Sequence, residues 1–476
     1  MIDRVATQVL YAVTGIVLAR ELSLEDFGLV GALLIFQAFA SLLVDSGFAY
    51  ALIQRKHPSK LDYSTVLWFN LAVAAMLYAV LFVCAPLIAD CFQGDMRLVP
   101  LSRVMFLSLI LNASVIVQTN RLMKAMDVRL VAASNSVGLI IGGVVGIVLA
   151  IGGYGAWSIV WQTIVLAAGK SIVLWTCTRW RPLYRFSWEA LKSYFGIGSR
   201  MMFTSFLNTV FLNIYGFFIG HFVGIGSLGY YTQSDKWSKM GISSISQALT
   251  STFLPALSAV QDSPDRFRAM VSKINRFTSY IVFPAMFGLM AMSKPIFHSL
   301  FGTKWDPSII LFQLLLLRGV FMIYNSLYNN YLLALGHGGR IVMLEVVRDV
   351  AAIIALGATF PFMAISLAED PVYGVKIMLY GQLAATFVTW VVSFVVVVRL
   401  TGLGPLRFVK DMIPYLMQTL VILPVILVAA MPFDTAWVKL TVMIVCSLSL
   451  YVGGNYILRS KIQREVFAYI IGKNTI

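Results

Sequence analysis

The sequence predicts an all-α integral membrane protein of about 14 transmembrane helices, built as two parallel six-helix repeats plus two extra C-terminal helices. Three observations carry that prediction. Of 476 residues, 59% are hydrophobic and 12% charged. Soluble domains carry about 25% charged residues, so this chain cannot cover its surface with polar groups and lipid must be its solvent. Apolar runs of about 20 residues, the length that spans a bilayer core, recur from end to end, and the mean hydropathy is +0.84. Third, two segments match without a gap. Leu18-Ala19-Arg20-Glu21-Leu22-Ser23-Leu24-Glu25-Asp26-Phe27-Gly28-Leu29 aligns with Ile219-Gly220-His221-Phe222-Val223-Gly224-Ile225-Gly226-Ser227-Leu228-Gly229-Tyr230. Each reads as the end of one hydrophobic helix, a short turn and the start of the next.

The expected spans lie near 3–19, 27–50, 63–89, 98–118, 130–151, 155–175 and 197–220, then 238–258, 275–293, 308–333, 342–364, 372–398, 412–430 and 437–458. Their connections are short and hide no soluble domain. Two further echoes follow the first in register: Pro86-Leu87-Ile88 with Phe92 matches Pro295-Ile296-Phe297 with Phe301, and Asn120 with Leu122 matches Asn330 with Leu332. Six spans separate the repeated segments, an even number, so both copies enter the membrane in the same direction and are related by an axis along its normal. Residues 1–175 then form an N-terminal six-helix lobe and 197–398 a C-terminal one. Between them, 176–196 is a basic, aromatic cytoplasmic linker that lies in the interface, with Trp188, Leu191, Tyr194 and Phe195 near one face. Residues 399–476 hold the two unpaired spans and a basic tail, in which Val466, Phe467 and Ile470 are expected to face lipid.

A net charge of +15 first suggests nucleic acid, but its distribution excludes that reading. With both termini cytoplasmic, 23 Lys and Arg residues fall in loops and span ends on that side, against 5 (Arg20, Arg97, Lys236, Lys294 and Lys304) on the other. That imbalance is the positive-inside bias; it sets the orientation and argues for an even number of spans. The first apolar segment shows no small-residue cleavage site and leads straight into the repeat, so it reads as a span. Cys84, Cys91, Cys177 and Cys446 form no metal-ligand spacing with the histidines. No Gly-rich phosphate loop ending in Lys-Ser/Thr is present, so no nucleotide drive and no cofactor is expected.

Several spans are too polar to face lipid all round. The eighth carries Ser243, Ser244, Ser246, Gln247, Thr250, Ser251 and Thr252, and the second carries Gln37, Ser41 and Asp45 at intervals of four, a single stripe. The seventh sets Arg200, Thr204 and Asn208 at the same spacing, and the tenth sets Arg318 and Asn325 seven apart. Hydroxyls alone commonly glue helices together. A charge at mid-membrane costs roughly 2.5–3.5 kcal/mol on insertion scales and faces a cavity or a partner. Glu345, Arg348 and Asp349 have the spacing of an internal ion pair.

The run from Leu18 to Leu29, Leu43-Val44-Asp45-Ser46-Gly47, Ala51-Leu52-Ile53-Gln54-Arg55-Lys56, Leu228-Gly229-Tyr230-Tyr231, Leu254-Pro255-Ala256-Leu257-Ser258 and Leu300-Phe301-Gly302-Thr303-Lys304-Trp305 resemble the bacterial polysaccharide-transporter family. These are the Wzx-like flippases of O-antigen, capsule and exopolysaccharide units, within the multidrug/oligosaccharidyl-lipid/polysaccharide exporter superfamily. The resemblance spans roughly residues 10–340 and rests on span ends and turns. It implies a V-shaped pair of lobes that alternates between faces and carries an undecaprenyl-pyrophosphate-linked oligosaccharide from the cytoplasmic to the periplasmic leaflet. Pathway partners such as a polymerase follow from the resemblance alone, as does more chain ahead of Asp3 and Arg4.

Such a cargo needs a basic cavity for its phosphates and glycan, and a gap toward lipid for its prenyl tail. Arg318, about midway along its span, is the leading candidate, since guanidinium is always charged and binds phosphate in bidentate fashion. Its repeat equivalent is Ser108, so the duplicated scaffold does not impose the charge. Arg200, Lys170, Arg103 and Lys239 extend a ladder of positive charge, joined by Asn208, Asn325 and Gln247. Snorkelling of span-end cations to the interface is the competing explanation for Arg200, Lys170, Arg103 and Lys239. Asp45 is the candidate for proton or sodium coupling, against a simpler role as a cap beside Ser46-Gly47. A cation-coupled drug or metabolite exporter of the same fold is the alternative, although this chain has more buried bases than acids. A membrane polymerase or ligase is disfavoured, because the outward acids Asp90, Asp95, Glu369 and Asp370 form no acid–base pair.

Overall fold

The computed structural model describes residues 2–45, 47–363 and 370–470. Ser46 and Glu369 lie outside the described residues, as do the side chains of Arg200, Thr204, Val466, Phe467 and Ile470. The described residues are predominantly helical, and the chain divides into two compact units, Met1–Thr232 and Gln233–Ile476.

Unit 1 holds α1 (Ile2–Glu21), α2 (Leu24–Asp45), α3 (Phe48–Gln54), α4 (Lys60–Val83), α5 (Ala85–Cys91), α6 (Leu98–Met105), α7 (Leu107–Lys124), α8 (Val128–Ile151), α9 (Trp157–Cys177) and α10 (Trp188–Phe218). A π-helical turn, Ile219–Val223, joins α10 to α11 (Ile225–Ser258), within which the division falls. Local signals set the boundaries. Ser59 caps α4 with Asp62 in a reciprocal capping box. In the α1–α2 turn, Asp26 Oδ2 accepts from the Ser23 amide and hydroxyl, while its Oδ1 accepts from the Ala156 amide at 2.8 Å. That carboxylate therefore pins the start of α2 to the start of α9. Glycines at intervals of four on α8 let α9 approach closely: a Cβ at Gly138 would sit 2.6 Å from the Leu166 carbonyl, and one at Gly142 2.8 Å from that of Gln162.

The two copies of the repeated segment meet inside unit 1. A Cβ on Gly28 would lie 2.0 Å from the Ile225 carbonyl oxygen, and one on Gly229 would lie 2.1 Å from that of Leu24. In the repeat alignment Gly28 pairs with Gly229 and Leu24 with Ile225. The contact is thus reciprocal, and the starts of α2 and α11 cross backbone to backbone. The domain division expected from the repeat and the division by packing fall at different residues, because α10 packs on α2 and α3.

Unit 2 continues with α12 (Pro264–Ala291), α13 (Ser293–Leu300), a 3₁₀ turn Thr303–Trp305, α14 (Asp306–Ala334), α15 (Gly338–Met363), α16 (Tyr373–Thr401), α17 (Pro405–Ala430), α18 (Ala436–Ile457) and α19 (Lys461–Ile470). The second echo of the repeat now has a structural meaning. α5 and α13 are short helices at the ends of α4 and α12, with Pro86 and Pro295 in their first turns. They are followed by left-handed glycines, Gly94 (φ 75°) and Gly302 (φ 91°). The last two long helices pack on α12 through Met292, Ile422, Ile426, Met443 and Tyr451.

A helix occupies each of the predicted span positions. Among the described residues, ten helices are long and apolar enough to cross a membrane, or up to eleven with the bent pair α12–α13 taken as one. α1, α11 and α15, at three of the expected span positions, fall outside that set; in α11 the serines lower the hydropathy.

Candidate functional site

Unit 1 contains a half-open pocket of about 320 Å³ between helices, in which Ser41, Asp45, Asn112, Thr119, Asn120 and Lys170 stand among apolar neighbours. α2, α7 and α9 supply it, and the stripe expected on α2 explains its floor. Gln37 donates to Ser108 Oγ on α7 at 3.0 Å, and Ser41 and Asp45 follow one and two turns later along the same face. The cavity brings together two residues that the sequence suggested for separate roles, the carboxylate of Asp45 and the amine of Lys170. They make no ion pair. Asp45 Oδ1 is buried without a hydrogen-bond partner, as is Thr119 Oγ1. A buried carboxylate oxygen left open costs free energy that a bound proton or cation would recover.

In unit 2, Arg318 lies on α14, half-buried, and its Nε donates to Thr386 Oγ1 on α16 at 3.3 Å. No acid pairs with it among the described residues. Ser108, its repeat equivalent, holds a neutral bond to Gln37 instead, so the guanidinium is peculiar to the second copy. Asn325 stands two turns along the same face with its Oδ1 buried and unpartnered. Gly319, next to Arg318, lets α14 lie close to α11, since a Cβ there would meet Ile242 Cδ1 at 2.3 Å. From that contact α11 runs on with Ser243, Ser244, Gln247, Ser251 and Thr252 exposed. An apolar groove of about 370 Å³ opens between α11 and α12, lined by Ile245, Ala248, Leu249, Phe253, Phe277 and Ile281 with Ser244 and Thr252 at its edge. One helix therefore offers both hydroxyls and a greasy slot.

The remaining candidates are placed differently. Lys239 is exposed and its Nζ is bound to Asp235 Oδ2 at 2.6 Å, an i,i+4 pair, so it is not the free cation the ladder requires. Arg103 lies 4.5 Å from the Phe82 ring centre and its Nε reaches the Phe82 carbonyl at 3.4 Å, an arrangement that matches snorkelling at a span end. Asn208 on α10 is exposed. Arg200 is on the same helix, and its side chain lies outside the described residues. Arg348 binds Glu345 at 2.5 Å and Asp349 at 2.9 Å, the internal ion-pair group its spacing predicts.

Sequence reasoning missed one buried polar group. Ser272 Oγ donates to Asp411 Oδ2 at 2.5 Å, and Arg276 Nε lies 3.4 Å from Asp411 Oδ1, fastening α17 to α12. The available signal was a lone acid in an otherwise apolar and basic segment.

A family model described as "Polysaccharide biosynthesis protein" matches residues 17–310. The succinoglycan biosynthesis transport protein ExoT of Rhizobium meliloti (strain 1021) is 26% identical over 360 residues, 75% of this chain and 73% of the relative. The lipopolysaccharide biosynthesis protein WzxC of Escherichia coli (strain K12) is 24% identical over 391 residues, 80% and 76% of the two chains. Among solved structures, the lipid II flippase MurJ in an inward closed conformation aligns with a TM-score of 0.71 at 15% identity, covering 96% of this chain and 98% of that one. An inward-facing multidrug resistance MATE family transporter aligns at 0.61 with 16% identity, covering 83% and 96%. At such identities the structural likeness is one of fold.

Proposed function

The chain belongs to the family of polysaccharide biosynthesis proteins, and on that premise we propose that it flips undecaprenyl-pyrophosphate-linked oligosaccharide units from the cytoplasmic to the periplasmic leaflet by alternating access. It does so in a bacterial inner membrane, with both termini cytoplasmic, and performs transport without chemistry on the sugar. The observation that carries the reading is Arg318. A guanidinium in mid-span with a hydroxyl contact, 3.3 Å to Thr386, and no acidic partner among the described residues keeps donors that an anionic group would satisfy. A pyrophosphate is such a visitor, and guanidinium matches its oxygens in bidentate geometry. The exposed hydroxyls of α11 suit a glycan, and the groove beside them suits a prenyl segment. Energy coupling falls to the Asp45–Lys170 cavity, where the open carboxylate oxygen takes a proton or sodium ion in exchange for cargo. The lobes 1–175 and 197–398 are the halves that move, and a polymerase acts on the delivered units.

The test is a strain lacking this protein, complemented with wild type, Arg318→Ala or Arg318→Lys, with lipid-linked units counted in each leaflet. Accumulation in the cytoplasmic leaflet that wild type clears and Arg318→Ala does not is the expected result. Arg318→Lys should recover only part, since an ammonium lacks the planar fork. Normal arrival of units in the periplasm without the protein would end the flippase reading in favour of a cation-coupled exporter.

A further inference from the structure

Between α9 and α10 the chain runs for ten residues, Thr178 to Ser187, without helix. This strap is fastened to the first turns of α4. The Leu183 amide donates to Ser64 Oγ at 2.9 Å, the Ser187 amide to Thr65 Oγ1 at 3.2 Å, and Trp68 Nε1 donates to the Leu183 carbonyl at 2.8 Å. Trp180 is buried beneath it, 6.4 Å from the ring centres of both Tyr63 and Trp175, with the Arg121 guanidinium 5.9 Å from its own. Non-helical backbone is not tolerated in the hydrocarbon region when it faces lipid. The strap therefore fixes the depth at which this end of unit 1 meets the headgroups.

Its outward face has an uneven chemistry. Tyr184 is 92% exposed, Trp188 68% and Phe195 58%, more aromatic surface than a protein leaves to water without purpose. The same stretch carries Arg179, Arg185 and Lys192, all exposed and without an ion pair among the described residues, while Glu189 is the only acid from 179 to 195. Arg181 is already occupied, since its Nη1 donates to the Thr178 and Trp180 carbonyls. Amphipathic rings at headgroup level, interleaved with unpaired cations, fit the surface of an anionic bilayer. We propose that this strap and the first turns of α10 are a docking surface for anionic phospholipid headgroups, which Arg179, Arg185 and Lys192 gather while Tyr184, Trp188 and Phe195 sink among them. The inference is independent of the cargo.

The full chain in phosphatidylcholine nanodiscs, doped with brominated phosphatidylglycerol or with brominated phosphatidylcholine, tests it through quenching of Trp188, isolated by subtracting the Trp188→Phe variant. Each surface cation enriches anionic lipid by up to about fivefold, so brominated phosphatidylglycerol should quench Trp188 at least about twofold more than brominated phosphatidylcholine. High salt should remove the excess, as should Arg179→Gln/Arg185→Gln/Lys192→Gln. Arg185→Gln alone, in the extended strap, should remove part of it. Equal quenching by the two lipids overturns the proposal. So does quenching by neither with the protein running as a dimer, which would mean that a second copy covers this face.

Discussion

Replacing Gly28 or Gly229 by alanine should destabilise the protein through one shared contact. A methyl group at Gly28 would stand 2.0 Å from the Ile225 carbonyl oxygen and one at Gly229 2.1 Å from that of Leu24, whereas real Cβ atoms essentially never come within 3.0 Å. The obstacle in each case is backbone, so no rotamer change relieves it and the two helix starts must part by about 1 Å. Forced overpacking of this kind costs about 1–3 kcal/mol. Because one separation relieves both clashes, the double variant should cost less than the two single costs added, with a coupling of about 0.5–3 kcal/mol. Two positions serve as controls. Gly226, in the same turn, has nothing within 4 Å of its would-be Cβ, and Gly31 would meet only the Thr232 hydroxyl at 2.5 Å. Gly226→Ala should be neutral or slightly stabilising, and Gly31→Ala should be milder than Gly28→Ala because a side chain can turn away. The assay is thermal unfolding of purified variants in one detergent. Wild-type stability for Gly28→Ala, or strict additivity with Gly229→Ala, would refute the reciprocal crossing.

Asp45→Asn should leave the protein folded and abolish the dependence of transport on the proton or sodium gradient, measured as flipping with and without an ionophore; an unchanged ionophore response would move the coupling site elsewhere. Asp411→Ala strands Arg276 and Ser272 and should cost roughly 2–4 kcal/mol, somewhat below the 3–5 of a fully buried pair because Arg276 is 34% exposed; differential scanning fluorimetry checks it. The Arg97 guanidinium, hydrogen-bonded to Asp95 and Glu25, holds the Asp95 carboxyl below the usual carboxylate range. Since the folded-state value is the lower one, its contribution is complete above the ordinary value of about 3.9 and is lost as pH falls through the depressed one. Protection of the 92–97 amides, taken relative to the intrinsic exchange rate at each pH, should therefore fall below about pH 4 in wild type and be low and independent of pH in Asp95→Asn.

The helical membrane class and the positions of the spans were legible because apolar length is a direct consequence of the solvent. The repeat was legible too, but its reason was not. Gly28 and Gly229 read as turn residues until the backbone crossing showed what each must avoid. At the site, periodicity found the stripe from Gln37 to Asp45 and placed Arg318 in mid-span, since both follow from position along one helix. It did not bring Lys170 to Asp45, because pairing across α2 and α9 depends on how α7 lies between them. For Lys239 the spacing alone held a further signal: Asp235 sits one turn before it and takes its amine in an i,i+4 pair. The strap was recognised as basic and aromatic, while the hydrogen bonds that hold it to Ser64, Thr65 and Trp68 join residues more than a hundred positions apart.

The most direct test of transport is purified protein in proteoliposomes loaded with a fluorescent undecaprenyl-pyrophosphate oligosaccharide, with an impermeant glycosidase outside. With wild type, the lipid-linked sugar should pass from half-accessible to fully accessible over time, and Arg318→Ala should remain at the half-accessible level of empty vesicles. An accessible fraction unchanged by the wild-type protein in the presence of a cation gradient of either direction would contradict the flippase reading.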